Sequence, residues 1–426
     1  MITILDTDCV VYKRIWCIFE FYKAHEMKKK KKEFLFDIYT DTIDDNAIGI
    51  TDGLIDDDYG NTNLKSKRES EFPIERITSA ATVDITKAEA SNVKDEDYIR
   101  RIIAESNVNP KDLNNLLHGI FVSSVLERLL KESTVGVEQY LNNIKQSNVT
   151  IINLDFIDCN KTEDIIFQQI ADSLPVTLTR FKFYSEGSKI KEESLTKIYS
   201  APTKLPNLVE IKLAYNKMTN DGVEKLVSAL IESNNTKLEN LDIGVNEITC
   251  DGIEIISRKL FPQLQLSLKV LILSKNEINN KGAIYIANAL NSDLKGLEIL
   301  RLSNNKIGDE GAIALANAIS GHKKLKVVKM NSNDIGYNGA SELATCLSNN
   351  QSLIKFYLQH NKFTLKAIIA IANAVKNNTR LKLLSVNKSI GMELELNDIE
   401  CASIGKQLND IEFQWKKVNT DIEFFY

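Results

Sequence analysis

One phrase recurs between residues 208 and 391: LVEIKLAYNKM, LENLDIGVNEI, LKVLILSKNEI, LEILRLSNNKI, LKVVKMNSNDI, LIKFYLQHNKF and a blurred LKLLSVNKSIG. The first apolar residues, Leu208, Leu238, Leu268, Leu297, Leu325, Leu353 and Leu381, stand 30, 30, 29, 28, 28 and 28 residues apart. A period held that tightly restricts the chain to a solenoid, in which each unit stacks only on its neighbours.

Each phrase describes a short strand followed by a bend. In Leu208-x-x-Ile211-x-Leu213 the apolar residues point inward, while Glu210 and Lys212 face out. An asparagine follows at a fixed offset: Asn216, Asn246, Asn276, Asn305, Asn333 and Asn361. A buried turn holds backbone donors and acceptors that water cannot reach, and an amide side chain carries both partners, so this column is read as structural. Six residues after each asparagine comes Gly222, Gly252, Gly282, Gly311 or Gly339, with Ala367 the exception. Apolar spacing of helical type follows, as in Ala312, Leu315, Ala316 and Ile319. The predicted fold class is α/β, a horseshoe with a parallel sheet inside and helices outside. A few buried aliphatic side chains at about 1.5–3 kcal/mol each do not offset the ordering of about thirty residues at about 1–2 kcal/mol each. No unit is expected to fold alone.

These units resemble leucine-rich repeats of the long ribonuclease-inhibitor type, used also by NOD-like receptors and Ran GTPase-activating proteins. The phrases from Val149 (VTIINLDF) and Leu178 (LTRFKF) keep the strand rhythm but hold Ile157 and Glu186 at the asparagine position. They are expected to be degenerate capping repeats. The expected repeat domain therefore spans 147–391 with about nine units, after a linker at 131–146 and before a C-terminal capping helix and tail at 392–426.

Residues 1–130 carry no repeat and read as a small α/β region. Helices are expected over 14–25 and 83–105, a strand at EFLFDIYT, and a loop over the acidic stretch 41–63. The pattern Trp16-Cys17-x-x-Glu20 resembles the WCxxE helix of TIR and TIR-like domains. In TIR enzymes that cleave NAD the glutamate of that motif is the catalytic carboxylate, which the resemblance carries to Glu20. Only about fifteen residues precede Trp16, too few for the rest of a TIR nucleotide pocket, so the region is read as truncated and not as an enzyme.

The balance of 43% hydrophobic and 26% charged residues is that of a water-soluble globular chain. Charges at Asp6, Asp8, Lys13, Arg14 and Glu20 break the apolar start, so neither a signal peptide nor a membrane span is predicted. A net charge of −5 argues against nucleic acid as the main partner. Six scattered cysteines without C-x-x-C spacing fit reduced thiols in a cytoplasmic protein. His25, His118, His322 and His360 show no metal-ligand spacing, and no cofactor or metal is expected. Lys28–Lys32 is either a nuclear import signal or a solvated run after a helix.

No phosphate-cradling loop or nucleophile elbow is present, which leaves the concave surface. Counting along the phrases places Lys212, Asp242, Ile272, Arg301, Lys329, Tyr357 and Ser385 in one exposed row, with Glu210, Asn240, Val270, Ile299, Val327, Lys355 and Leu383 beside it. Arg301, Lys329 and Lys355 are expected to form a basic patch flanked by Tyr357, next to an apolar zone including Ile272 and Ile299. Arginine and tyrosine beside aliphatic residues is the composition of binding hot spots. The expected function is a scaffold or receptor-like signalling protein that docks an acidic, partly apolar segment of a partner. Two alternatives stay open: the partner uses an edge or the helices, or the chain regulates a small GTPase as Ran GTPase-activating proteins do.

Overall fold

The structure is a computed structural model. It describes residues 2–5, 37–40, 48–51, 87–88, 97–98, 100–101, 137–146, 149–157, 164–185, 190–375 and 378–386. The chain forms two compact units, Met1–Arg180 and Phe181–Tyr426.

In the first unit β1 (Ile2–Leu5), β2 (Asp37–Thr40) and β3 (Ile48–Thr51) form a sheet in that order. The β1–β2 pair is parallel, with Ile2 opposite Asp37, and β2–β3 is antiparallel. The stretch 41–63 is thus not all loop. Ile48 and Ile50 alternate with Gly49 and Thr51, a period-two pattern that outweighs the acidic composition around it. Of the helix expected over 83–105, Asp97, Tyr98, Arg100 and Arg101 are helical, while Lys87 and Ala88 lie outside α-helix. The span read as a linker contains helix α1 (Val137–Gln146), which buries Val137, Leu141 and Ile144 at helical spacing. Strand β4 (Ile151–Ile157) forms in the first degenerate phrase, and α2 (Asp164–Ser173) follows. Trp16, Glu20, Lys28–Lys32 and the expected cap at 392–426 lie outside the described residues.

The second unit alternates strand and helix: β5 (Arg180–Ser185), α3 (Glu192–Ser200), β6 (Glu210–Lys212), α4 (Asn220–Glu232), β7 (Asn240–Asp242) and α5 (Cys250–Ile255). It continues with β8 (Val270–Ile272), α6 (Asn280–Ser292), β9 (Ile299–Arg301), α7 (Asp309–Gly321), β10 (Val327–Lys329), α8 (Tyr337–Asn349), β11 (Lys355–Tyr357), α9 (Leu365–Val375) and β12 (Leu383–Ser385). Strands β5 to β12 are hydrogen-bonded neighbours in chain order, and each pair from β6 to β12 is parallel. The inward strand residues Ile211, Leu241, Leu271, Leu300, Val328 and Phe356 are fully buried against the helix layer. Helix α5 departs from the others. It passes into a π turn at Ile256–Leu260 and a 3-10 turn at Phe261–Gln263, within a unit of the longer spacing.

Stacking is locked by buried amides that reach from one unit to the one before. Asn246 shows the pattern: its Oδ1 accepts from the backbone of Asn216 (3.0 Å) and Met218 (2.9 Å), and its Nδ2 donates to the carbonyl of Leu213 (2.9 Å). Asn276 repeats it, accepting from Ile248 N (3.1 Å) and donating to the carbonyls of Ile243 (3.0 Å) and Leu273 (3.1 Å). Asn305, Asn333 and Asn361 continue the ladder on Ile278, Ile307 and Ile335. The residue before each ladder asparagine is left-handed, from Tyr215 (φ 61) and Val245 (φ 51) to His360 (φ 58). That conformation turns the chain out of the strand and aims the next amide back at its neighbour. It is least comfortable at β-branched Val245.

Two further ladders escaped the sequence reading. Three residues before the leucine that opens a phrase stand Asn235, His322, Asn350 and Asn378, all buried. Asn350 Nδ2 donates to the carbonyl of Ile319 (2.7 Å) and its Oδ1 accepts from Leu353 N (2.8 Å). His322 fills the same role: Nδ1 accepts from Leu325 N (3.1 Å), so Nε2 carries the proton and donates to the carbonyl of Leu294 (2.9 Å). The other ladder clasps helix starts. Asn280 Oδ1 accepts from Gly308 N (2.7 Å) and Gly311 N (3.2 Å), and Asp309 Oδ1 accepts from Gly336 N (2.7 Å) and Gly339 N (2.9 Å). Helices α7 and α8 thus begin at glycine N-caps that offer no side chain of their own, and the unit before supplies the cap. A Cβ on Gly311 would stand 2.8 Å from Ala283 Cβ, and one on Gly339 2.8 Å from Asp309 Oδ1, which explains the glycine column.

Asn276→Ala strands one buried N–H and two carbonyls, each worth about 1–3 kcal/mol when unsatisfied, so chemical denaturation is expected to show a loss of at least about 2 kcal/mol. Burial, reinforced by Lys295, lowers the His322 pKa below its ordinary 6.5, against the pull of the Leu294 carbonyl. The unfolded chain then binds the proton more tightly, so this contribution to stability is full above pH 6.5 and is lost as the pH falls through the depressed folded value. His322→Asn is expected to keep the turn and flatten that acid arm in denaturation curves taken from pH 7 downward.

Candidate functional site

With alternate strand residues committed to the core, the others form the outward face of the sheet. The register aligns Lys212, Asp242, Ile272, Arg301, Lys329, Tyr357 and Ser385 as expected, and sets Glu210, Asn240, Val270, Ile299, Val327, Lys355 and Leu383 beside them. Ile272, Ile299, Arg301, Lys329 and Tyr357 are half-buried and Lys355 is exposed. Arg301 and Lys329 face each other on adjacent strands, and Lys329 Nζ lies over the Tyr357 ring, 4.6 Å from its centroid. Lys355, two residues before Tyr357, shares its side of β11. The six residues singled out from sequence therefore fall on one face.

Asp242 is a correction. Like Ser385, which is buried at the end of the same row, it was expected among the most exposed strand positions and is only 9% exposed. Its Oδ1 accepts from Gly244 N (3.0 Å), and the Tyr184 hydroxyl donates to Oδ2 (3.4 Å). Burial raises its pKa and outweighs the lowering by Gly244 N–H, Lys212, Arg301 and Tyr184. A short side chain set between longer neighbours on a sheet is covered by them, which one-dimensional counting does not show.

Counting from the asparagine column also missed Lys182, Tyr184 and Tyr215. Tyr184 and Tyr215 are 6.0 Å apart between ring centroids, and Lys182 Nζ lies 4.4 Å from the Tyr184 centroid. Glu186 at the asparagine position had marked this unit as a cap. The preserved phrase LTRFKFY would have shown that β5 still offers a face. On the carboxylate side, Glu210 pairs with Lys212 at 3.1 Å and accepts from Asn240 Nδ2 at 2.6 Å. Asn240 Oδ1 is buried and has no hydrogen-bond partner among the described residues.

A second concavity, a cleft of about 520 Å³, opens between α3 and the start of α4, with Leu195, Tyr199, Gly222 and Lys225 in its wall. Ile190, also in its wall, stands four residues after Glu186, the offset at which Asn220 and Asn280 clasp the next helix. The cleft is therefore a place where the clasp is missing. Among the described residues no group of three or more His, Cys, Asp or Glu side chains is placed to hold a metal ion. Cys250 is a half-buried and Cys346 a buried free thiol, the latter with its pKa pushed up to about 12 by burial and by Glu342. No described helix is long and apolar enough to cross a membrane.

The family model described as leucine-rich repeat matches residues 204–227, 266–287, 297–316 and 321–344. Among solved structures the chain is similar to the actin-binding site 2 of leiomodin-1, with 19% identity over 39% of this chain and 89% of that one, and a TM-score of 0.28. No curated protein matches the chain. The chain carries leucine-rich repeats, stacked as an α/β solenoid with a parallel sheet and a helix layer.

Because the folded state of Asp242 holds its proton more tightly than the unfolded chain, its contribution to stability is full below the ordinary 3.8 and declines as the pH rises through the elevated folded value. Asp242→Asn keeps Oδ1 as the acceptor for Gly244 N–H and sets its amide Nδ2 to donate to the Tyr184 hydroxyl oxygen instead of accepting from it. It is expected to raise the denaturation midpoint at pH 7 and to abolish that decline.

Proposed function

We propose that the protein works by binding another protein on the outward face of its repeat sheet, as a non-enzymatic scaffold or receptor-like signalling component of the cytoplasm. The observation that carries this reading is the alignment of Arg301, Lys329 and Tyr357 on adjacent strands beside Ile272 and Ile299. Cationic and aromatic side chains next to aliphatic ones supply charge-assisted hydrogen bonds and apolar contact together. Lys355 on the same face adds to the attraction for carboxylates, so the partner segment is read as acidic and partly apolar. The repeats are read as the ribonuclease-inhibitor type because of their 28- to 30-residue spacing, and as spanning 147–391.

The test is capture from native lysate by the full chain, run beside a variant with Arg301→Glu, Lys329→Glu and Lys355→Glu. Loss of the specific partner on charge reversal, with affinity reduced at least about tenfold, is the expected result. A partner retained at full affinity would place binding elsewhere. A small GTPase as the partner, with GTP turnover accelerated by the purified chain, would replace the scaffold reading by a regulatory one.

A further inference from the structure

The sheet face is electrically lopsided. The outward strand positions of β8 to β11 carry three cations, Arg301, Lys329 and Lys355, and no carboxylate. Both carboxylates of the two aligned rows, Glu210 and Asp242, lie on β6 and β7 with one cation, Lys212, which pairs with Glu210 at 3.1 Å, and next to the buried Asn240 Oδ1 that finds no donor among the described residues. Val270, Ile272 and Ile299 separate the two ends. We propose that this face takes one extended protein segment laid across the strands in a fixed order of chemistry: carboxylates over Arg301, Lys329 and Lys355, an aliphatic side chain over Ile272 and Ile299, and a hydrogen-bond-donating side chain at Asn240. This deepens the docking reading above and rests on it.

The geometry fixes the spacing. Adjacent parallel strands stand about 4.8 Å apart, so β7 to β9, where the cations begin, spans about 10 Å, and β7 to β11 about 19 Å. An extended chain advances about 3.4 Å per residue. The acidic block thus begins about three residues from the donor and ends about six from it, with the aliphatic residue between them. A segment with carboxylates at both ends would set one of them against Glu210 and Asp242 and leave the Asn240 acceptor unsatisfied. Like-charge apposition and a buried acceptor without a donor each disfavour that arrangement, so the same features that attract one order of residues reject another.

Random twelve-residue peptides displayed on phage would be selected on the immobilised full chain and counter-selected on the Arg301→Glu, Lys329→Glu, Lys355→Glu variant. The expected pool carries Asp or Glu residues, then Leu, Ile or Val, then Gln, Asn, Lys or Arg, with the acidic residues about three to six positions from that last residue. Synthetic copies are expected to bind Asn240→Leu and Asn240→Ser at least about fivefold more weakly, with the melting transition of at least one variant unchanged. Peptides that need the three cations but show no such order, or bind the Asn240 variants undiminished, would overturn the ordered segment and leave the docking face standing. A pool that does not distinguish the charge-reversed protein, or no enrichment at all, would overturn both.

Discussion

The structure depends on satisfying the backbone of a turn that no water reaches. Each time the chain leaves a strand, peptide groups are buried between two units, and a buried peptide group without a partner costs more than most single side-chain contacts supply. Asn246 accepts from the backbone at Asn216 and Met218 and donates to Leu213. A unit's turn is therefore complete only when the next unit is in place. Stability in such a stack belongs to the neighbour interface as much as to the unit, and the period of the sequence records that coupling.

The same solution is used at three levels of the fold. The asparagine column serves the turn after the strand, Asn235, His322, Asn350 and Asn378 serve the turn after the helix, and Asn220, Asn280 and Asp309 serve the start of the next helix. His322 shows that the requirement is for one acceptor and one donor at a set separation, which an imidazole in the right tautomer meets as well as an amide does. Because these ladders and the buried aliphatic layer hold the stack, the outward strand positions are released from structural duty. Lysine, arginine, asparagine, isoleucine and tyrosine all occur there without disturbing the register.

That freedom is what gives the face its polarity. Both carboxylates of the two rows lie on β6 and β7, where Lys212 pairs with Glu210, and β9 to β11 carry only cations among their charged outward residues, with Lys329 held against Tyr357 and Asp242 sunk beneath Tyr184. A sheet of short parallel strands with a fixed register turns a one-dimensional list of residues into a surface with two distinguishable ends. On such a surface the proposed docking segment would be recognised by the order of its side chains as well as by its net charge.

From sequence alone came the solenoid, the strand and helix of each unit, the asparagine and glycine columns and the register of the two outward rows. All of these repeat with the period, and a repeat exposes the positions that packing fixes. The tertiary structure alone decided what does not repeat. Asp242 is buried because Tyr184, from a strand 58 residues earlier in the chain, donates to it, and Tyr184 and Tyr215 meet although their unit lacks the marker asparagine. The clasps on α7 and α8 do recur with the period, but their partners, about thirty positions apart, meet only once neighbouring units stack. Such contacts are set by the distance between neighbouring units in space, a quantity that spacing along the chain does not encode.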